Sequence, residues 1–135
     1  MENIFKIKVY YADTDAYGVV WHGNYLRWLE KGRIDFCSDL GFNLVELEKN
    51  DIVLPVANID IKYKASAKLD NLLQVKTTIS KLTPLYVVFK QLIYDNNKTY
   101  VEADVKVVAV DNNGKLYRKM PQNLYNKLKE VSPCA

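Results

Sequence analysis

The sequence predicts an α+β domain in which a curved antiparallel sheet wraps around one long central helix. Three observations carry that expectation. From about Asn24 to Leu40, apolar residues recur with helical spacing over some seventeen positions, enough for a rod on the order of 25 Å. From Ile52 to Val110 the pattern changes to extended alternation and stays there. Short clusters of turn-forming residues interrupt that alternation, so successive strands run antiparallel, and only one long helix is available to cover them. The 135 residues suit a single domain, 1–135, large enough to bury one core.

The elements follow in order. Phe5 to Tyr11 (FKIKVYY) alternates apolar with polar and reads as the first strand. Asp13 to Gly23 breaks the alternation and forms a loop. In the helix, Tyr25, Leu29, Gly32, Phe36 and Leu40 make one apolar stripe, with Asn24 as the expected N-cap. Gly32 within the stripe costs roughly 1 kcal/mol against Ala, which suggests that a sheet approaches closely there. Gly41 suits the left-handed position beyond the helix, and Phe42 can fold back on the last turn. Leu44 to Lys49 is a short helical piece. Ile52 to Lys64 is a strand with Ala57, Ile59, Ile61 and Tyr63 on one face. Leu72 to Leu82 and Val101 to Val110 are further strands. Leu85 to Tyr94 (LYVVFKQLIY) is apolar on both faces, which marks a central or interface strand. Lys68–Asn71, Asp95–Asn97 and Asp111–Gly114 are turns, and Pro121 opens a last helix to about Glu130. One helix cannot cover both faces of such a sheet, so self-association is expected to bury the remainder.

Composition narrows the function. Lys and Arg number 19 against 16 acids, a net charge of +3, and the acids interrupt the lysines throughout. That leans mildly toward anionic ligands such as phosphates and away from nucleic acid. No apolar run approaches the ~20 residues of a transmembrane segment, and Met1-Glu2-Asn3 opens no secretory signal. Two cysteines, Cys37 and Cys134, are too few for a disulfide framework, so a cytoplasmic home is expected. A single histidine, His22, and no cysteine cluster fall short of a zinc site. Neither a P-loop nor a Gly-x-Ser-x-Gly elbow occurs. No metal or cofactor is expected.

The chemistry concentrates in Tyr10 to Tyr25 (YYADTDAYGVVWHGNY), where Asp13, Asp15 and His22 lead into the long helix. A helix N-terminus offers unpaired N–H groups and about half a positive charge, which can stabilise a developing oxyanion. A carboxylate nearby can serve as general base or nucleophile. Together these are the parts that acyl transfer to water requires. The same aspartates could equally be turn caps, and His22 beside Trp21 could be a packing residue.

Asp13-Thr14-Asp15-x-x-Gly18-Val19-Val20-x-His22-x-x-Tyr25 resembles the signature of the 4-hydroxybenzoyl-CoA thioesterase family of hotdog-fold proteins. It is most similar to the branch of short acyl-CoA thioesterases associated with the Tol-Pal system. The likeness continues through Leu26–Arg33, Ile61–Leu72 and the Pro121 helix. It implies a hotdog fold, a homodimer that often assembles into a tetramer, active sites between subunits, and hydrolysis of acyl-CoA without a metal. By position, Asp15 matches the catalytic carboxylate and Asp13 a less essential acid. His22 matches a position that is His in the Tol-Pal branch. Gly23, Asn24 and Tyr25 are expected to supply the N–H groups that polarise the thioester, and Tyr17, Trp21 and Tyr63 to line an aromatic acyl pocket. The family's basic cluster for CoA phosphates is replaced here by Leu82-Thr83-Pro84-Leu85, with Lys62, Lys64, Lys68 and Lys81 as possible substitutes. The competing reading is a hotdog dimer that binds acyl-CoA or an acyl carrier protein without hydrolysing it.

Overall fold

The computed structural model describes residues 1–132, so Cys134 lies outside the described residues. The chain runs β1 (Glu2–Lys8), a 3-10 turn (Tyr11–Asp13), α1 (His22–Asp39), α2 (Leu44–Lys49), β2 (Val56–Tyr63), β3 (Leu72–Leu82), β4 (Tyr86–Tyr94), β5 (Thr99–Val108) and α3 (Gln122–Glu130). The strands form one antiparallel sheet in the order β1-β3-β4-β5-β2. This is the α+β arrangement that the alternation and the single long helix predict.

Strand β4, apolar on both faces, lies at the centre of the sheet. Its inner face buries Val87, Phe89, Gln91 and Ile93, and Phe89 meets Phe36 of α1 edge-on with ring centroids 5.6 Å apart. Helix α1 packs chiefly on β1, β3 and β4. At Gly32 the sheet comes so near that an added Cβ would lie 2.8 Å from Val75 Cγ1 and 3.0 Å from Thr77 Oγ1. Close approach is therefore the reason that a poor helix former stands mid-stripe. The far end of α1 closes as the sequence predicts. Gly41 takes φ +88°, its N–H donates to Ser38 O, and Phe42 N–H reaches back to Cys37 O.

Two features differ from the sequence reading. Strands β3, β4 and β5 form a meander, but β2 pairs with β5 at the far edge and not with its successor β3. Strand β1 already occupies the free side of β3, so β2 takes the other edge. Being an edge that α1 does not cover, β2 exposes its expected inward face: Ile59 is 36% and Tyr63 46% accessible. The second difference is the start of α1, which begins at His22 with Trp21 in the N-cap position. Asn24, the expected cap, instead lies buried in the first turn.

Candidate active site

The acidic loop is held by a two-residue-wide ladder. Trp21 N–H donates to Asp13 O and Asp15 N–H to Val19 O, each at 2.9 Å, while Thr14 and Val20 form an antiparallel bridge between them. Gly18 N–H closes the turn on Asp15 O at 3.0 Å, with Gly18 at φ +77°. On its other side the loop is tied to the β2–β3 connection, where Val20 N–H donates to Ala67 O at 2.9 Å. Asp15 is thus set six residues before Trp21, the N-cap of α1, on a backbone fastened from both sides.

The two aspartates do different things. Asp13 is half-buried and Oδ2 accepts from Tyr10 N–H at 2.9 Å, which caps the 3-10 turn. Its carbonyl accepts both Trp21 N–H and the Asn24 side-chain amide, the latter at 2.8 Å. Asp15 is also half-buried, and Oδ1 accepts from Tyr17 N–H at 2.8 Å. Oδ2 meets no donor among the described residues, which leaves one carboxylate oxygen available for chemistry.

At the start of α1, Trp21 N–H is taken by Asp13, and Asn24 N–H donates to Trp21 O at 2.9 Å. Among the described residues no acceptor meets the N–H of His22 or Gly23. Those two N–H groups are therefore free donors at this helix start. Gly23 has a packing reason too, since the Trp21 indole occupies the space where a Cβ would stand. Asn24 is spoken for by its bonds to the loop. Tyr25 is buried, its hydroxyl accepts from Ala67 N–H at 3.0 Å, and burial raises the phenol's pKa. These two residues fasten the site.

Aromatic rings gather beside the helix start. The exposed His22 ring lies 5.4 Å from that of Trp21 and 6.3 Å from that of Tyr63, and Tyr63 in turn lies 5.9 Å from Tyr25. Within the single chain Tyr17 makes no ring contact with them and is 90% exposed, and its backbone N–H donates to Asp15. Of the lysines considered for phosphates, Lys64 is paired with Glu102 at 2.7 Å. Lys81 and Lys106 instead converge on the Tyr86 ring at 5.6 and 4.2 Å. A hydrogen bond from Lys81, with the charge of both lysines, lowers the Tyr86 pKa.

Sequence reasoning missed a cavity of about 270 Å³ farther along α1, lined by Glu30, Arg33, Ile34, Val56, Phe89 and neighbouring apolar residues. Its only warning in the sequence is a charged pair, Glu30 and Arg33, on a helix that is otherwise apolar on that side.

A family model described as the thioesterase-like superfamily matches residues 9–128 of the chain. The chain belongs to the thioesterase-like superfamily. Within this superfamily it is 38% identical over 108 residues to the acyl-CoA thioesterase YbgC of Haemophilus influenzae, covering 79% of each chain. It is 32% identical to the acyl-CoA thioester hydrolase YbgC of Escherichia coli, covering 93% of this chain and 95% of that one. Among solved structures, a probable thioesterase from Bartonella henselae superposes with a TM-score of 0.84 at 34% identity, over 90% of this chain and 100% of that one. The DHNA-CoA thioesterase of Staphylococcus aureus gives 0.89 at 29%, over 96% and 90%. The superfamily fold is the hotdog, here α1 against its five-stranded sheet. No helix among the described residues is long and apolar enough to cross a membrane.

Proposed function

We propose that this chain hydrolyses short-chain or aromatic acyl-CoA thioesters to the free acid and CoA, with Asp15 as general base or nucleophile. The observation that carries the reading is the ladder joining Asp15, with one carboxylate oxygen unengaged, to a helix start with two free N–H groups. The names of its relatives support the reaction class.

In this reading the thioester carbonyl accepts from the N–H of His22 or Gly23, which stabilises the oxyanion as the carbonyl carbon becomes tetrahedral. Asp15 takes a proton from the attacking water, or attacks directly to give a mixed anhydride that water then cleaves. The carbon–sulfur bond breaks, and CoA departs as thiolate and is protonated. A thiolate leaves readily, so the His22 ring is assigned to orienting the thioester or assisting that last proton. Lys62, Lys68, Lys81 and Lys106 have no carboxylate within 4.0 Å among the described residues, so these four are the lysines assigned to CoA phosphates.

The reading requires a homodimer. Arg33 lies eleven residues beyond His22, about 16 Å along the axis, so a short acyl group cannot run from the start of α1 to the cavity of the same copy. Strand β2 is an open edge on which Val56, Ile59 and Tyr63 are exposed, and Leu26 and Ile34 are exposed on α1. Pairing two copies across that edge about a two-fold axis sets the second α1 antiparallel to the first. Each helix start then faces the partner's cavity. Further assembly into a tetramer is compatible with the half-buried outer face of β4.

Thiol release from a panel of aliphatic and aromatic acyl-CoAs tests the activity. Wild-type protein should turn over at least one class, and Asp15→Asn should lower kcat by roughly 10² or more with the fold retained. Ligand-induced stabilisation without turnover would instead identify a binding module. Near-normal hydrolysis by Asp15→Asn would remove Asp15 from the chemistry.

A further inference from the structure

Arg33 reaches from α1 toward the sheet, and Nη1 donates to Gln91 Oε1 at 3.0 Å. Gln91 is fully buried and its amide is otherwise spent on Leu29 O and Thr77 Oγ1, at 2.9 and 2.8 Å. The guanidinium is thus held in place by a neutral oxygen, and no carboxylate stands within 4.0 Å of it among the described residues. Burial pulls its pKa below the usual arginine value. Glu30 is the one acid in the cavity wall, but it is exposed and makes no ion pair with Arg33. Beyond these two the lining is apolar apart from the weakly polar Cys37, whose thiol burial pushes up to about 11 and so keeps it neutral.

A half-buried cation facing an apolar cavity with no carboxylate bonded to it is costly, and such charges are normally paired; the charge of Glu30 acts on Arg33 but does not outweigh its burial. The cavity, about 270 Å³, exceeds the ~150 Å³ that suffices for benzene and lies just under the usual range for small ligands. It has room for a short carbon chain with a polar end. We propose that Arg33 selects acyl groups ending in a carboxylate, the apolar wall holding the methylenes and the guanidinium fork the terminal carboxylate. Arginine suits this role because its planar donors bind a carboxylate bidentately. This specificity rests on the acyl-CoA thioesterase reading.

Comparing kcat/KM for glutaryl-CoA and hexanoyl-CoA tests it. Wild-type protein should favour glutaryl-CoA by tenfold or more, Arg33→Met should bring the ratio to about one or invert it, and Arg33→Lys should restore part of the preference. Independently of turnover, free glutarate should stabilise the wild-type protein against heat at concentrations where its neutral diamide does not, and Arg33→Met should lose that effect. If no thioester is hydrolysed while glutarate still stabilises the protein through Arg33, the enzymatic reading fails and the Arg33 site stands. Equal kcat/KM for the two thioesters, or a preference unchanged in Arg33→Met, would overturn the assignment.

Discussion

The side-chain amide of Asn24 donates to the backbone carbonyl of Asp13 across 2.8 Å, so the first turn of α1 holds the acidic loop by a residue that is itself 94% buried. The same carbonyl receives Trp21 N–H, which makes it the junction of loop and helix. Asn24→Ala removes the side-chain half of that junction and leaves a buried acceptor with one donor fewer. The expected cost is about 1–2 kcal/mol by chemical denaturation. The expected loss in kcat is at least tenfold, because a loosened Asp15 no longer meets the carbonyl in productive geometry. Activity unchanged at a lowered stability would show that the junction serves folding alone.

His22 offers the site two separable things, a ring and an N–H. His22→Ala removes the ring and keeps the donor; His22→Pro removes both, at the first helical position, where proline is well tolerated. The alanine variant should lose about tenfold in kcat/KM, whereas the proline variant should lose 10²–10³-fold with near-normal stability, the scale for one oxyanion donor. Equal losses would assign polarisation to the Gly23 N–H.

At Gly32, alanine would gain roughly 1 kcal/mol of helix propensity in open solvent. Here its Cβ meets Val75 Cγ1 at 2.8 Å, Thr77 Oγ1 at 3.0 Å and Gln91 Nε2 at 3.1 Å. The crowding wins because the sheet behind these atoms is fixed. Gly32→Ala should destabilise the protein by about 1–3 kcal/mol, and it should disturb the Gln91 amide that positions Arg33. A variant as stable as wild type would mean that helix and sheet can separate freely.

A pH signature comes from the turn after β4. Tyr100 hydroxyl donates to Asp95 Oδ2 at 2.6 Å. Burial, reinforced by this bond, pushes Tyr100 up to about 12, while the bond holds Asp95 below its ordinary value. The depressed acid contributes stability that is present above ~4 and is lost as pH falls through its folded value. The raised phenol contributes below ~10 and loses its part as pH rises toward about 12. Tyr100→Phe should therefore cost ~1 kcal/mol near neutrality, with the difference from wild type shrinking at both extremes. A difference that is flat from pH 3 to pH 11 contradicts the linkage.

Much of this was legible in the residues. The turn at Gly41–Phe42, the bounds of β3 and the central place of β4 follow from local chemistry and alternation, which act within a few residues. Asn24, a residue type that favours the N-cap, places the expected start of α1 two residues late. Its amide is drawn instead to the Asp13 carbonyl, eleven residues away, and no local rule contains that partner. Residue type groups Tyr17 with Tyr63 as a pocket aromatic, whereas its backbone N–H bond to Asp15 carries no signal in the sequence.

Sequence by itself determined the α+β class, the order of elements, the family and the segment bearing Asp13, Asp15 and His22, because periodicity and a dense local motif are one-dimensional properties. Tertiary structure decided which edge β2 occupies, which N–H groups at the start of α1 remain free, and that Arg33 faces an apolar cavity with no carboxylate bonded to it. Each of those depends on which groups from distant segments have already consumed the available hydrogen bonds, sheet edges and space.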